Sequence, residues 1–142
     1  MDFAALVLME VDKDNKFIKE MGSYEVHEGA EYISKFYYNK DSKKVSIYFD
    51  THKDVEEWEY TAIYELFNLE AFEEEGYEIE EKDDEYNPTW ILKFNYIEEH
   101  SDMAQKLGEV CELIKVEIEK LLKNQKRIRK NIFKIKRLGC VY

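Results

Sequence analysis

Residues 101–137 read SDMAQKLGEVCELIKVEIEKLLKNQKRIRKNIFKIKR, and the fold turns on them. No proline interrupts the stretch, and Ser101 is placed to cap its start. Apolar or small residues recur at 104, 107, 111, 114, 118, 121, 128, 132 and 135, with Gln125 in the one missing slot. The step alternates three and four for over four heptads, the seam of a coiled coil. Gly108 is the single weak point in helix propensity. A helix from 101 to 137 would measure about 55 Å at ~1.5 Å per residue. A globule of 142 residues has a radius of gyration of about 14–15 Å, hence a diameter under ~40 Å. Such a helix outreaches its own body.

Two outcomes are open to it. Either the first half packs on the body and the last third frays, or the far end buries its stripe on another chain. The second is favoured, because Ile128, Ile132, Phe133 and Ile135 would otherwise leave apolar area in water at ~25 cal/mol per Å². The expected assembly is a homo-oligomer, a dimer first, with Ile114, Ile118, Leu121, Gln125, Ile128, Ile132 and Ile135 as contact residues. Gln125 can set the register, as polar seam residues do.

Upstream the period changes from helical to alternating. Phe3 to Val11 is rich in Val, Leu and Ala and reads as a strand buried on both faces. Asp12-Lys13-Asp14-Asn15 supplies turn chemistry, and Lys16 to Glu20 starts a return strand. Gly22 and Gly29 interrupt the next stretch. Tyr32 to Tyr38 and Val45 to Phe49 form a second strand pair, in which Val45, Ile47 and Phe49 share one face. Asp54 with Glu57 reads as a capping box opening an amphipathic helix to about residue 69. A short strand at Tyr77 to Glu81, a turn at 83–88 and a last strand at Thr89 to Ile97 complete the body. The expected fold is α+β: an antiparallel sheet with an amphipathic helix and the long C-terminal helix packed on one face. Residues 1–100 form the sheet domain; 101–142 belong to the same domain and partly project.

Charge is sharply divided. The 32 acids against 21 bases give a net charge of −11. All the acids lie in residues 1–119, which net −20, whereas residues 120–142 carry nine bases and no acid. Residues 54–85 alone hold fifteen acids against Lys82. A basic amphipathic end often meets nucleic acid or membrane, but here the acidic body repels both. Docking of the tail on acidic surface, its own body's or a neighbour's, ranks first, nucleic acid second and membrane third; the acidic block of 54–85 could instead meet a basic protein partner.

Little points to catalysis. Hydrophobic residues reach 44%, enough for a core, yet no run approaches the ~20 apolar residues of a membrane helix. Phe3 to Met9 is too short for a signal peptide, and Cys111 and Cys140 make no framework, so a reduced cytoplasmic protein is expected. His27, His52 and His100 are scattered, no Gly-rich phosphate loop exists, and Asp12 to Asn15 lacks the glycine of a calcium loop, where Phe17 stands. No catalytic, metal or cofactor residue is assigned, and no cofactor is expected. Aromatic content is high at 15%. Tyr60 and Tyr64, four apart on one helix face, are the expected partner contacts. Tyr37 and Tyr38 are also able to line a surface. The first functional reading is a non-enzymatic interaction or regulatory module; the second is an acidic inhibitor seated in a partner's basic nucleic-acid-binding site. A small enzyme of carboxylate or tyrosine chemistry is the third.

Gly22-Ser23-Tyr24-Glu25-Val26, Tyr48-Phe49-Asp50-Thr51 and Asp54-Val55-Glu56-Glu57-Trp58-Glu59-Tyr60 resemble small acidic proteins of unknown function from Gram-positive anaerobic bacteria. The likeness spans about residues 1–120 and leaves the basic end outside it. It implies no activity and no functional residues.

Overall fold

Polar turns close three of the strand pairs anticipated from sequence. In the first, the Asp12 carboxylate accepts from the Asp14 and Lys16 amides at 2.8 and 3.0 Å while Asn15 takes a positive φ. A computed structural model describes residues 4–52 and 54–137, with side chains through Asn124. The chain runs β1 (Ala4–Val11), β2 (Phe17–Val26), a 3-10 turn (Ala30–Tyr32), β3 (Ile33–Asn39), β4 (Lys44–Asp50) and α1 (Glu57–Leu66). There follow α2 (Glu70–Glu73), β5 (Glu78–Lys82), β6 (Thr89–Asn95) and α3 (His100–Arg137). The α+β class holds.

The six strands form one sheet in the order β2-β1-β3-β4-β6-β5. It is mixed rather than antiparallel throughout, because β3 pairs with β1 in parallel, Met9 beside Tyr37. The cause is the connection after Val26, which returns the chain on the side of β1 away from β2. Alternation sends Leu8, Phe36, Val45, Ile47, Phe49, Trp90, Leu92 and Phe94 to one face, where all are buried. On that face α3 lays down Met103, Leu107, Val110, Cys111, Ile114, Ile118 and Leu121, all buried too. Beside it Phe49, Phe67, Phe72 and Trp90 stack with centroids 4.2 to 6.0 Å apart. Burial lifts the Cys111 thiol to about 12, so it behaves as a small hydrophobe.

Several local expectations shift. β1 is not buried along its whole length on both faces: on the side no described helix covers, Val7 is 39% exposed, whereas Val11 at the strand's end is buried at 2%. Gly22 lies inside β2, next to an irregularity in its pairing with β1, and does not break the strand. The first helix starts at Glu57, not after Asp54. Its capping box is Glu56 with Glu59, the same spacing two residues later, and Glu59 is buried by the arrangement. It ends at Leu66, and α2 takes residues 70–73 separately. At α3 the carboxylate of Glu99, not Ser101, caps the start by accepting from the Asp102 amide at 2.7 Å. Those backbone bonds hold Glu99 below the ordinary carboxylate range.

Gly29 sets how closely α3 approaches the β2–β3 connection. Its φ is +85°, and a Cβ there would stand 2.2 Å from the Cys111 carbonyl oxygen. Gly29→Ala is expected to cost about 2–4 kcal/mol, combining left-handed strain with a backbone clash. Gly108 has open space around its Cβ position inside α3, so Gly108→Ala should gain about 0.5–1 kcal/mol. Urea unfolding of the two variants checks both signs.

Candidate functional site

Alternation that fills one face of the sheet leaves the other without helices. Registers place Val7, Met9 and Val11 of β1, Phe17 of β2, Lys35 and Tyr37 of β3, Ser46 and Tyr48 of β4, and Ile91 and Lys93 of β6 on this open side. An apolar and aromatic band crosses it: Phe17 meets Tyr37 edge-on at 5.6 Å, and Tyr37 meets Tyr48 at 5.8 Å. Tyr48 is opposite Ile91 in the register. Lys35 lies over the Tyr48 ring at 5.2 Å, and burial raises the Tyr37 hydroxyl above its usual value. A basin of about 260 Å³ opens over the band, bordered by Lys44, Lys93, Glu78 and Glu80. Lys44 bonds the Glu78 carboxylate, and Lys93 stands 3.9 Å from Glu80. The Lys44 ammonium holds Glu78 below the ordinary carboxylate range. Of the six exposed large hydrophobics among the described residues, Phe17, Val7 and Tyr86 lie on this face or at its rim, and Phe17 is 64% exposed. Phe17 is the exposed member of the band; Val11, Tyr48 and Ile91 are already buried at 2, 8 and 9%.

The residues singled out from sequence fall elsewhere. Tyr60 sends its hydroxyl to the Glu85 carbonyl at 2.7 Å. Tyr64 accepts from the Thr89 amide at 2.9 Å and reaches the Lys82 carbonyl at 2.8 Å, and burial raises its hydroxyl far above the usual value. The two rings pack together at 5.3 Å and clamp the β5–β6 turn to α1. Their hydroxyls are therefore committed within the molecule. Ile114, Ile118 and Leu121 sit in the core of the chain itself, under 3% exposed. The side chains of Gln125, Ile128, Ile132 and Ile135 lie outside the described residues; their backbone is helical.

Tyr37 is the residue of this face that sequence reasoning half finds. The chain sets it beside Tyr38, but neighbours on a strand face opposite ways, and Tyr38 is in the core. Extending the alternation of β3 and β4 to their other face collects Tyr37 with Tyr48. His100 stacks on Tyr24 at 4.6 Å, with a ring nitrogen 3.1 Å from the Ser23 carbonyl, a packing role. Among the described residues no group of three or more His, Cys, Asp or Glu could hold a metal ion. No helix among them is long and apolar enough to cross a membrane.

The fold and the open face define an α+β protein with one uncovered sheet surface. The chain belongs to a family of unknown function, DUF6762, whose model matches residues 1–132. That match enters the basic segment, which the resemblance read from sequence leaves out. No curated protein and no solved structure matches the chain.

Two measurements probe this description. Tyr64→Phe leaves the Thr89 amide without its acceptor, so an unfolding loss of about 1–3 kcal/mol is expected by urea titration. Glu78 should titrate below ordinary carboxylates by NMR and return toward about 4.3 in Lys44→Met. Its folded value lies below the unfolded one. The pair's contribution is therefore present above pH ~4.3 and disappears as pH falls through the lowered value.

Proposed function

We propose that this protein is a non-enzymatic interaction module that self-associates through the distal part of α3. One observation supports the reading: α3 is helical for 38 residues to Arg137, about 57 Å at ~1.5 Å per residue, against a diameter under ~40 Å for a 142-residue globule. Its last fifteen residues run from Lys123 to Arg137. In sequence they continue the seam with Gln125, Ile128, Ile132 and Ile135. A seam carried on along so long a helix is the sequence pattern of a helix that buries its stripe on a partner.

Charge supports a second copy as the partner. The segment from 120 to 142 carries nine bases and no acid, and the body of the same chain nets −20. Each copy thus offers both a cationic arm and an anionic acceptor. Attraction of this kind assembles copies at low salt and weakens as salt screens it.

Sedimentation of the full chain at tens of micromolar should give a dimer, with dissociation favoured as salt rises from about 0.05 to 0.5 M. Ile128→Glu with Ile132→Glu should weaken association at least tenfold while the far-UV spectrum keeps its sheet and helix content. A full chain that stays monomeric overturns the reading.

A further inference from the structure

We propose that the outer flank of α3, around Gly108, is a docking surface for a cationic amphipathic helix of a partner protein. The surface lies on the part of α3 whose side chains are described, so the inference stands apart from self-association through the distal end.

Two hollows meet there. One, of about 390 Å³, is lined by Leu113 and Val116 with Glu75, Glu109 and Glu112. The other, of about 360 Å³, is lined by Ala104 and Gly108 with Glu25, Glu28 and Glu112. Glu112 belongs to both, so they form one track along the helix. From 104 to 116 the track is about 18 Å long at ~1.5 Å per residue, three turns of a helix laid beside it. Tyr77 and Val26 also line it but are buried already. The apolar contact on offer is Val116, 41% exposed, with the half-buried Leu113 and Ala104.

Gly108 gives the track its depth. A glycine inside a helix costs stability relative to alanine. At Gly29 the fold demands the missing Cβ, because the Cys111 carbonyl fills its place; at Gly108 nothing lies within 4 Å of that place. Packing within the chain therefore does not call for it. What it provides is bare backbone in the floor of a hollow, one turn after the small Ala104. A second helix can approach such a floor more closely than a longer side chain would permit.

The rim decides the charge of that helix. Glu28 is matched by Lys115 at 3.5 Å and Glu109 by Lys106 at 3.7 Å. Glu25, Glu75 and Glu112 are exposed and have no ion pair among the described residues. The Lys106 ammonium also lies over the Tyr77 ring at 5.4 Å, which marks how an alkylammonium sits at this border. An apolar strip between unmatched carboxylates complements a helix whose apolar stripe is flanked by lysine or arginine.

The probe is a capped peptide of about 14 residues of leucine, alanine and lysine, with the leucines on one helix face. Its control has the same composition with the leucines spread round the helix. Titrated into the ¹⁵N-labelled full chain at ~0.1 M salt, the amphipathic peptide should bind at least tenfold more tightly than the control. Amide shifts are expected at 25–28, 75–77 and 104–116. Gly108→Leu and Glu112→Lys should each weaken binding at least tenfold. Both positions are open, so both variants should fold, and urea unfolding verifies that. Gly108→Ala should raise stability yet weaken binding, opposite signs that a merely structural glycine would not give. Equal binding of the two peptides, indifference to Gly108→Leu, or shifts at 54–73 instead overturns the proposal. So do carbodiimide links, in the chain alone, from Glu75 or Glu112 of one copy to lysines beyond Glu119 of another, which would assign the track to a second copy. A chain that stays monomeric and binds the peptide as described overturns self-association and leaves this inference standing.

Discussion

The molecule depends on one apolar contact: the stripe of α3 laid across the helix-covered face of the sheet. Seven of its side chains, from Met103 to Leu121, are buried there. Fully burying a side chain of this size is worth ~1.5–3 kcal/mol, so together they rival the ~5–15 kcal/mol by which a domain is stable at all. The contact is also intolerant in geometry. Gly29 has no Cβ because the Cys111 carbonyl occupies its place, and Glu99 caps the helix so that the stripe begins in register. The remaining elements are arranged around it. With α3 across the sheet, α1 and α2 are left the space over Phe49 and Trp90, where the aromatic stack forms.

The same contact determines what stays uncovered. A six-stranded sheet with all helices on one side presents its other side to water, a common arrangement for sheets that are largely antiparallel. Here that side is not polar throughout. Lysine–glutamate pairs at Lys44–Glu78 and Lys93–Glu80 surround a band of Phe17, Tyr37 and Tyr48. Tyr60 and Tyr64 secure the hairpin on which two of those glutamates stand. Tyr60 and Tyr64 thus support the border of this face from within the molecule.

Much of the fold is legible in the sequence because the signals are periodic. Val45, Ile47 and Phe49, then Trp90, Leu92 and Phe94, alternate cleanly and share the core face. The α3 seam is readable across more than four heptads. What sequence leaves undecided is either degenerate or non-local. Asp54-Val55-Glu56-Glu57-Trp58-Glu59 contains two capping boxes at the same three-residue spacing, and only packing selects Glu56 with Glu59. The parallel pairing of β1 with β3 has no local signature, since it depends on which side of β1 the chain returns. The candidate surface is half legible: Tyr37 is conspicuous, but its companions come from four strands that are distant in sequence.

The division of charge then acquires a physical reading. A body of net −20 repels itself, which opposes compaction and keeps copies apart. Its carboxylates are tolerated because most are exposed, and the buried ones have partners: Glu59 in its cap, Glu117 with Lys120 at 3.4 Å, Glu10 with Lys19 at 4.0 Å. The nine bases all follow Glu119, the last acid of the chain, so the charge is divided along the sequence rather than mixed, and the acidic body meets few cations of its own: Lys44, Lys93 and Lys82 on the sheet side are each already within reach of a carboxylate.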